Sequence, residues 1–402
     1  MKIMRRKCVN RVSCLLKIKM LTYNILAVLL FVTMAGTLHS CSDSDSEPIT
    51  YFPVLEVSGT HYEIGYAIGT TFKERIKKAF DHLAGIISKV EAFIDTDTQR
   101  FYTQYVEAIQ ALYPQFIEEL QGMADGSGFP FKRFMITSML PEYIEMMKLP
   151  KMEDPLGCST VSYRYGGKVY LAHNEDGGYY LRDIMFIVKA HPTGKPSFIS
   201  FCHPGISMGP APAMNDAGIF YSSNFVTGTE FQEGGIPTTF IERSLMEAQT
   251  LDEAIQKATI SNRAYCFNVN IASRDEAKVV SIEVAPSTYY LYEVEGLFVH
   301  TNHFFQTGME TFTVPNANSQ SRFDVLTDLT DVYADRLNEV DGDLLTQFLS
   351  SHEHSPDSPC SHGGEDVSTS QTLGSTLFDV DNGTWRVSFN NPCQKKFQMV
   401  GF

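Results

Sequence analysis

The chain has 402 residues and carries 32 Lys and Arg against 47 Asp and Glu, a formal net charge of −15. Lys2, Arg5, Arg6, Lys7, Arg11, Lys17 and Lys19 fall within the first 40 residues, which hold no acidic side chain, so everything beyond them is more acidic still. So acidic a chain excludes nucleic-acid binding by phosphate neutralisation and suits a neutral or cationic substrate better than a polyanion.

Residues 1–40 read as a secretory leader: a basic head, an apolar run over 25–35, then Leu38-His39-Ser40 ahead of Cys41. Cysteine at that junction is the pattern of a bacterial lipobox, whose thiol is acylated and becomes the first residue, although His39 is unusual there. The expectation is an exported protein held in an envelope membrane by acylated Cys41, on the periplasmic side or at the cell surface. A plain signal peptide is the alternative, as is a signal anchor over 21–38, near the ~18-residue minimum for a spanning helix. Residues 41–51 form an acidic tether, with Ser42-Asp43-Ser44-Asp45-Ser46-Glu47 offering nothing to pack. The rest suits one large or two average domains. Its cysteines, Cys158, Cys202, Cys266, Cys360 and Cys393, are odd in number, so in an oxidising compartment at least one stays free or pairs between chains. Cys360 and Cys393 are open either to bridging or to serving as structural thiols.

In chain order, Phe72, Ile76, Phe80, Leu83, Ile87, Val90 and Ile94 predict one amphipathic helix. A second follows with Phe101, Tyr105, Ile109, Leu112, Phe116 and Leu120, kinked at Pro114. Asp125-Gly126-Ser127-Gly128 ends it. After Cys158 the period changes. Residues 159–165 and 168–174 flank Gly166-Gly167, a two-residue hairpin signal. Further strands are expected at 184–190, 198–201 and 218–225, helices at 238–249 and 251–260, then strands at 267–272, 279–284, 289–293 and 297–300. A helix over 322–337 and strands at 374–380 and 384–389 complete the pattern. Helices set among antiparallel hairpins predict layered α+β packing rather than βαβ alternation.

The segment most informative about chemistry is Gly157-Cys158-Ser159-Thr160, followed after the hairpin by His173-Asn174-Glu175-Asp176. A hairpin returns Asp176 to the start of the Cys158 strand, where a carboxylate beside a thiol makes a usable nucleophilic site. Spacing alone also fits a buried cysteine and a solvated turn. Other short segments share the pattern: Val57 to Gly65 with Gly69, Glu119 to Gly126, Arg243 to Ala254, His300-Thr301-Asn302-His303-Phe304 and Ser319-Gln320-Ser321-Arg322. In order and spacing these resemble the acyl-coenzyme A:6-aminopenicillanic acid acyltransferase family, peptidase family C45, related to penicillin V acylase and bile salt hydrolase within the Ntn hydrolases. The resemblance spans roughly residues 52–402.

The resemblance implies a four-layer αββα sandwich with an N-terminal helical segment, 52–157 as the first chain and 158–402 as the catalytic chain, remaining associated after self-cleavage between Gly157 and Cys158. Cys158 is then nucleophile and, through its freed α-amine, base; that amine's ordinary pKa of ~7.7–8.0 suits the role. Asp176 would position amine and thiol, Asn302 and less strongly Asn224 would donate to an oxyanion, and Arg322 would lie near the thiol. His173 stands where the bile salt hydrolase branch has arginine, which argues against bile salt specificity. His173, Asn174 and Phe134 are candidate substrate contacts, with Phe129, Phe131 and Tyr143 as further candidates for an acyl pocket. The expected substrate is a small linear acyl amide, with no cofactor and no metal. His352, His354, Cys360 and His362 carry metal-ligating side chains, but their Ser-, Pro- and Gly-rich surroundings read better as a surface loop. A cell-surface binding lipoprotein that keeps the fold without processing itself is the competing reading.

Overall fold

The computed structural model describes residues 51–149, 157–363 and 370–402; the expected leader, lipidation site and all but the last residue of the tether lie outside them. Among the described residues no helix is long and apolar enough to cross a membrane. The described residues form one compact unit.

Strand β1 (Val54–Gly59) comes first, then helices α1 (His61–Thr71), α2 (Lys73–His82), α3 (Ala84–Ile94), α4 (Gln104–Leu112), α5 (Pro114–Ser127), α6 (Phe131–Ser138) and α7 (Leu140–Met146). Thr60 starts α1 with a capping box, its hydroxyl accepting from Glu63 N while the Glu63 carboxylate accepts from Thr60 N. The single helix expected over 72–94 is two: the chain turns at Phe72 and again at Leu83, whose ψ of 3° leaves the helical range. Pro114 is not a kink. It is the first residue of α5, where a missing N–H costs nothing. Helices α1 and α5 pack backbone to backbone through glycine: a Cβ on Gly65 would fall 1.9 Å from the Glu119 carbonyl oxygen, and one on Gly122 2.1 Å from that of Tyr62.

The hairpin β2 (Cys158–Tyr165) and β3 (Lys168–Gly178) opens the second half, followed by β4 (Phe186–Pro192), β5 (Phe198–Cys202), β6 (Ala213–Asn215) and β7 (Ile219–Phe225). Helices α8 (Thr238–Leu245) and α9 (Leu251–Ala258) precede β8 (Phe267–Ser273), β9 (Lys278–Val284), β10 (Tyr289–Glu293) and β11 (Gly296–His300). Helices α10 (Ala317–Asp331) and α11 (Gly342–Leu349) and strands β12 (Ser370–Asp379), β13 (Thr384–Phe389) and β14 (Phe397–Val400) close the chain. One sheet has eight strands in the order β1-β4-β5-β6-β7-β8-β9-β10, the other six in the order β11-β2-β3-β12-β13-β14.

Three apolar layers stack these sheets. Helices α1–α9 cover the outer face of the eight-stranded sheet, through residues such as Ile64, Phe116 and Phe240 against Val188, Tyr221 and Ile271. Leu171, Ile199, Phe220, Phe378 and Trp385 fill the space between the sheets. Leu326, Leu345 and Phe348 of α10 and α11 cover Val161, Ala172 and Leu377 of the six-stranded sheet. The molecule is an α+β, four-layer αββα sandwich, as expected. Strand β1, absent from the expected pattern, pairs in parallel with β4, so the N-terminal segment contributes to a sheet as well as to the helices.

Candidate active site

Gly166 and Gly167 make the two-residue turn between β2 and β3, both at positive φ (61° and 82°), as a turn matching the strand twist requires. The hairpin sets Cys158 opposite Glu175 and Thr160 opposite His173. One residue beyond the ladder, Asp176 N donates to Gly157 O at 2.8 Å. Side chains alternate across a strand. Thr160 accordingly faces Ser222 and Asn224 of the other sheet, while Ser159 faces Arg322 of α10.

Three further groups converge on the Gly157–Cys158 junction. Asn302 Oδ1 accepts from Cys158 N at 2.8 Å. Arg322 donates through Nη1 to Cys158 O (2.6 Å) and Ser159 Oγ (3.0 Å), and through Nη2 to Asn302 Oδ1 (2.6 Å). The first turn of α10 holds both partners: Asn302 N donates to Ser319 Oγ, and Arg322 Nε donates to Asn318 Oδ1. Gly157 is packed tightly, since a Cβ there would sit 3.0 Å from Asp176 Oδ2 and 3.3 Å from Arg322 Nη2.

Burial dominates the electrostatics. It pushes the Cys158 thiol well above its ordinary value, with Glu175 and Asp176 adding to the effect and Arg322 opposing it. Asp176 is pushed up to about 7 by burial, against Arg322 and a hydrogen bond from Thr372. Glu175 is as deeply buried, yet His173 and His203, 3.2 and 2.9 Å from its two oxygens, hold it below its usual range. Glu242 rises to about 8 through burial, although Ser223 Oγ donates to it.

A cavity of about 270 Å³ opens over this junction. Cys158, Glu175 and Asp176 line it from the hairpin, Leu140, Ile144 and Glu145 from α7, Phe225 from β7 and Glu242 from α8. Its acidic residues are Glu145, Glu175, Asp176 and Glu242, with His203 beside them; among the described residues no Lys or Arg lines it. Cys158, His173 and Glu175 place potential metal-ligand atoms within 4.8 Å of one another. However, both nitrogens of His173 and both oxygens of Glu175 already face hydrogen-bond partners.

The model of the acyl-coenzyme A:6-aminopenicillanic acid acyl-transferase family matches residues 164–394, more than half of the chain. The chain belongs to this family. The match begins just past Cys158 and contains Asp176, Asn224, Asn302 and Arg322. A β-alanyl-dopamine/carcinine hydrolase of Drosophila melanogaster is 26% identical over 258 residues, covering 58% of this chain and 65% of that protein. The 40 kDa form of the acyl-coenzyme A:6-aminopenicillanic-acid-acyltransferase of Emericella nidulans is 22% identical, covering 61% of this chain and 67% of that protein. Among solved structures, a conjugated bile acid hydrolase from Clostridium perfringens aligns at 12% identity with a TM-score of 0.43, over 61% of this chain and 92% of that one.

Within this family member, the residues expected from sequence divide into three groups. Gly157, Cys158, Asp176, Asn302 and Arg322 come together. Asn302, expected as an oxyanion donor, here turns its Oδ1 to Cys158 and its Nδ2 to Phe225 O. Asn224 is one residue pair away: Oδ1 accepts from Thr160 Oγ1 and Asn270 Nδ2, and its buried Nδ2 has no partner among the described residues. The three expected substrate contacts do not line the cavity. Phe134 is fully buried against Phe80, and the wall is built instead by Thr137 at the end of α6 and by α7. Asn174 points out of the sheet to the carbonyls of Leu349 and Pro359 because strand alternation sends it away from Cys158. His173 faces inward but is sealed beneath Glu175. Glu145, His203 and Glu242 were not anticipated. Only folding brings these separate segments to one wall, and Glu175 was legible only as the middle of Asn174-Glu175-Asp176.

Proposed function

We propose that this protein is a self-processed cysteine N-terminal-nucleophile hydrolase that cleaves a linear amide through a thioester on Cys158. The observation that carries the reading is the convergence of Asp176, Asn302 and Arg322 on the Gly157–Cys158 peptide at the floor of the cavity. In processing, Cys158 Sγ adds to the Gly157 carbonyl carbon, whose oxygen already accepts from Asp176 N. The C–N bond breaks, the thiol proton goes to the departing nitrogen, and water hydrolyses the resulting thioester to a Gly157 carboxylate and a free Cys158. A glycine before the nucleophile leaves the carbonyl open to attack.

In turnover the freed α-amine takes the proton from a thiol that burial holds protonated, and passes it to the leaving amine. Asn302 Oδ1, already accepting from that nitrogen, orients it. Both chains would stay together, because β1 pairs with β4 and one core spans α1–α7 and the eight-stranded sheet. Acyl transfer to an amine in place of water uses the same thioester.

The acidic lining favours a substrate bearing an ammonium group, since a cation entering a partly desolvated site finds the Glu175 carboxylate and, among the described residues, no Lys or Arg. The β-alanyl unit in the name of the fruit-fly relative ends in such a group. We infer N-acyl amines or small peptide-like amides with a cationic acyl end as the substrate class, in a protein exported and lipid-anchored through Cys41.

The decisive experiment is the intact mass and fragment N-termini of the leader-free protein, with amine release from a panel of acyl amides. Two fragments meeting between Gly157 and Cys158, absent in Cys158→Ala, together with a preference of at least ~10-fold for ammonium-bearing acyl groups over neutral isosteres, are expected. An uncut chain without turnover would instead favour the binding-protein reading. Radiolabelled lipid on the full chain, lost in Cys41→Ala, tests the anchor.

A further inference from the structure

On the far side of the six-stranded sheet from the cavity wall, the chain after α11 returns to the short turn before β14. There His352, Cys360 and His362 meet Cys393, and one ligand atom from each lies within 4.8 Å of all the others. Three contacts converge on a single atom, His362 Nε2: His352 Nε2 at 3.1 Å, Cys393 Sγ at 3.2 Å and Cys360 Sγ at 3.6 Å. A ring nitrogen has one in-plane lone pair or one N–H, so it can satisfy one of these partners and not three. The arrangement is instead what four donors adopt when aimed at a common centre. Around a tetrahedral zinc ion with Zn–S near ~2.3 Å and Zn–N near ~2.0–2.1 Å, neighbouring ligand atoms stand about 3.3–3.8 Å apart.

We propose that His352, Cys360, His362 and Cys393 form a structural zinc site. Two thiolates and two neutral imidazoles offset the charge of a divalent ion and match the soft, tetrahedral preference of zinc over magnesium or calcium. Asn391 Nδ2 supports the set from behind, donating to Cys360 Sγ at 3.5 Å and to Ser361 O at 2.6 Å, as partners behind metal thiolates do. Four protein ligands leave no position for substrate, which makes the site structural rather than catalytic. Both cysteines are free, and the exposure of His352 and His362 gives the ion a way in. His354, the remaining histidine of this segment, turns instead to Ser321 Oγ.

The site ties the 350–363 loop to the C-terminal turn, and that loop touches the residues around Cys158. Asp357 Oδ1 accepts from Asn318, which accepts from Arg322 Nε; Ser361 O accepts from Thr372 N, the strand partner of Asp176. Zinc would therefore position Arg322 and Asp176 without touching substrate. The proposal uses no step of the amide-hydrolase reading, so either can fail alone.

The test uses the full mature chain, purified under reducing conditions without chelator, incubated with zinc and dialysed. Elemental analysis should give one zinc per chain, unchanged in Cys158→Ala and reduced at least 10-fold in Cys393→Ser and His362→Ala. Cobalt substitution of the unaltered protein, which needs no variant to fold, should produce the visible absorption of a tetrahedral, thiolate-bearing ion. Less than a tenth of an equivalent of zinc, a cobalt spectrum without thiolate bands, or zinc lost in Cys158→Ala would each overturn the proposal. So would a Cys360–Cys393 disulfide recovered by peptide mass from the zinc-treated protein.

Discussion

The space between the two sheets has two ends built from the same strands. The inward positions of β3 run Val169, Leu171, His173, Glu175; those of β7 run Phe220, Ser222, Asn224; those of β8, read backwards, Ala272, Asn270, Asn268; and those of β9 Val279, Ser281, Glu283. All four change from apolar to polar at the same level. At one end Phe220, Phe378 and Trp385 bury their rings without solvent. At the other, Thr160, Asn224, Asn268, Asn270 and Ser281 form a hydrogen-bonded chain leading to the level of Cys158. Buried polar groups contribute little net stability and cost much when unpaired. The apolar end therefore holds the sheets together, and the polar end spends stability to fix groups around a thiol.

Substitutions at the two ends should separate these roles. The largest effect expected is on stability at the apolar end. Trp385→Ala removes a fully buried ring and should cost ~3–5 kcal/mol. A denaturant titration would measure it, and turnover per folded molecule should stay near the unaltered value. At the polar end the order reverses. Arg322→Lys keeps the charge but cannot reproduce contacts to Cys158 O, Ser159 Oγ, Asn302 and Asn318 at once. Turnover should fall by ~10²-fold, the scale of a misplaced reacting group, with stability changed far less than by Trp385→Ala. Equal losses in both measurements would erase the distinction.

A pH titration of Glu242, which lies on the helix side of the eight-stranded sheet and lines the cavity, sharpens it further. Glu242 is raised to about 8 by burial, so the folded chain binds a proton there that the unfolded chain releases near its ordinary carboxylate range. Its contribution to stability is full below that range and is lost as pH rises towards 8, with a limiting slope of about 1.4 kcal/mol per pH unit. Glu242→Gln should flatten that decline between roughly pH 5 and 8, measured as denaturant midpoints across pH. Phe220, Phe378 and Trp385 carry no ionisable group, so Trp385→Ala should leave the slope unchanged.

Sequence periodicity made most of this architecture legible. The Gly166-Gly167 turn and the alternation on either side placed Asp176 beside the Cys158 strand, and layered α+β packing followed from hairpins interrupted by helices, whereas the four-layer sandwich was implied only by the family resemblance. Strand β1 was missed because its alternating exposed and half-buried residues present no apolar run. Pro114 was misread because a proline that starts a helix and one that kinks a helix look alike without knowing where the preceding helix ends. The acidic wall was illegible for a different reason: Glu145, Glu175 and Glu242 lie on three elements, and only the packing of α7 and α8 across the hairpin makes them neighbours. The same holds for Cys393, which joins Cys360 and His362 across 31 residues or more with no local ligand spacing to announce it.

The smallest effect is the most selective. On the proposed self-cleavage, Gly157 would belong to the polar end only until the chain is cut, and would then be a terminus of the other chain. A methyl group there would meet Asp176 Oδ2 at 3.0 Å and Arg322 Nη2 at 3.3 Å, displacing either the carbonyl under attack or the side chains around it. Gly157→Ala should therefore slow self-cleavage by about 10-fold, the scale of a ~1.4 kcal/mol rise in barrier. Material that has completed cleavage should turn over substrate at the unaltered rate. Time-resolved gels of freshly folded chain measure the first quantity, and steady-state kinetics on the processed fraction measure the second. If both fall together, residue 157 shapes the mature site and the division between a processing contact and a turnover contact is wrong. If only processing slows, Asp176 and Arg322 are shown to meet the scissile glycine and the later substrate in separable ways.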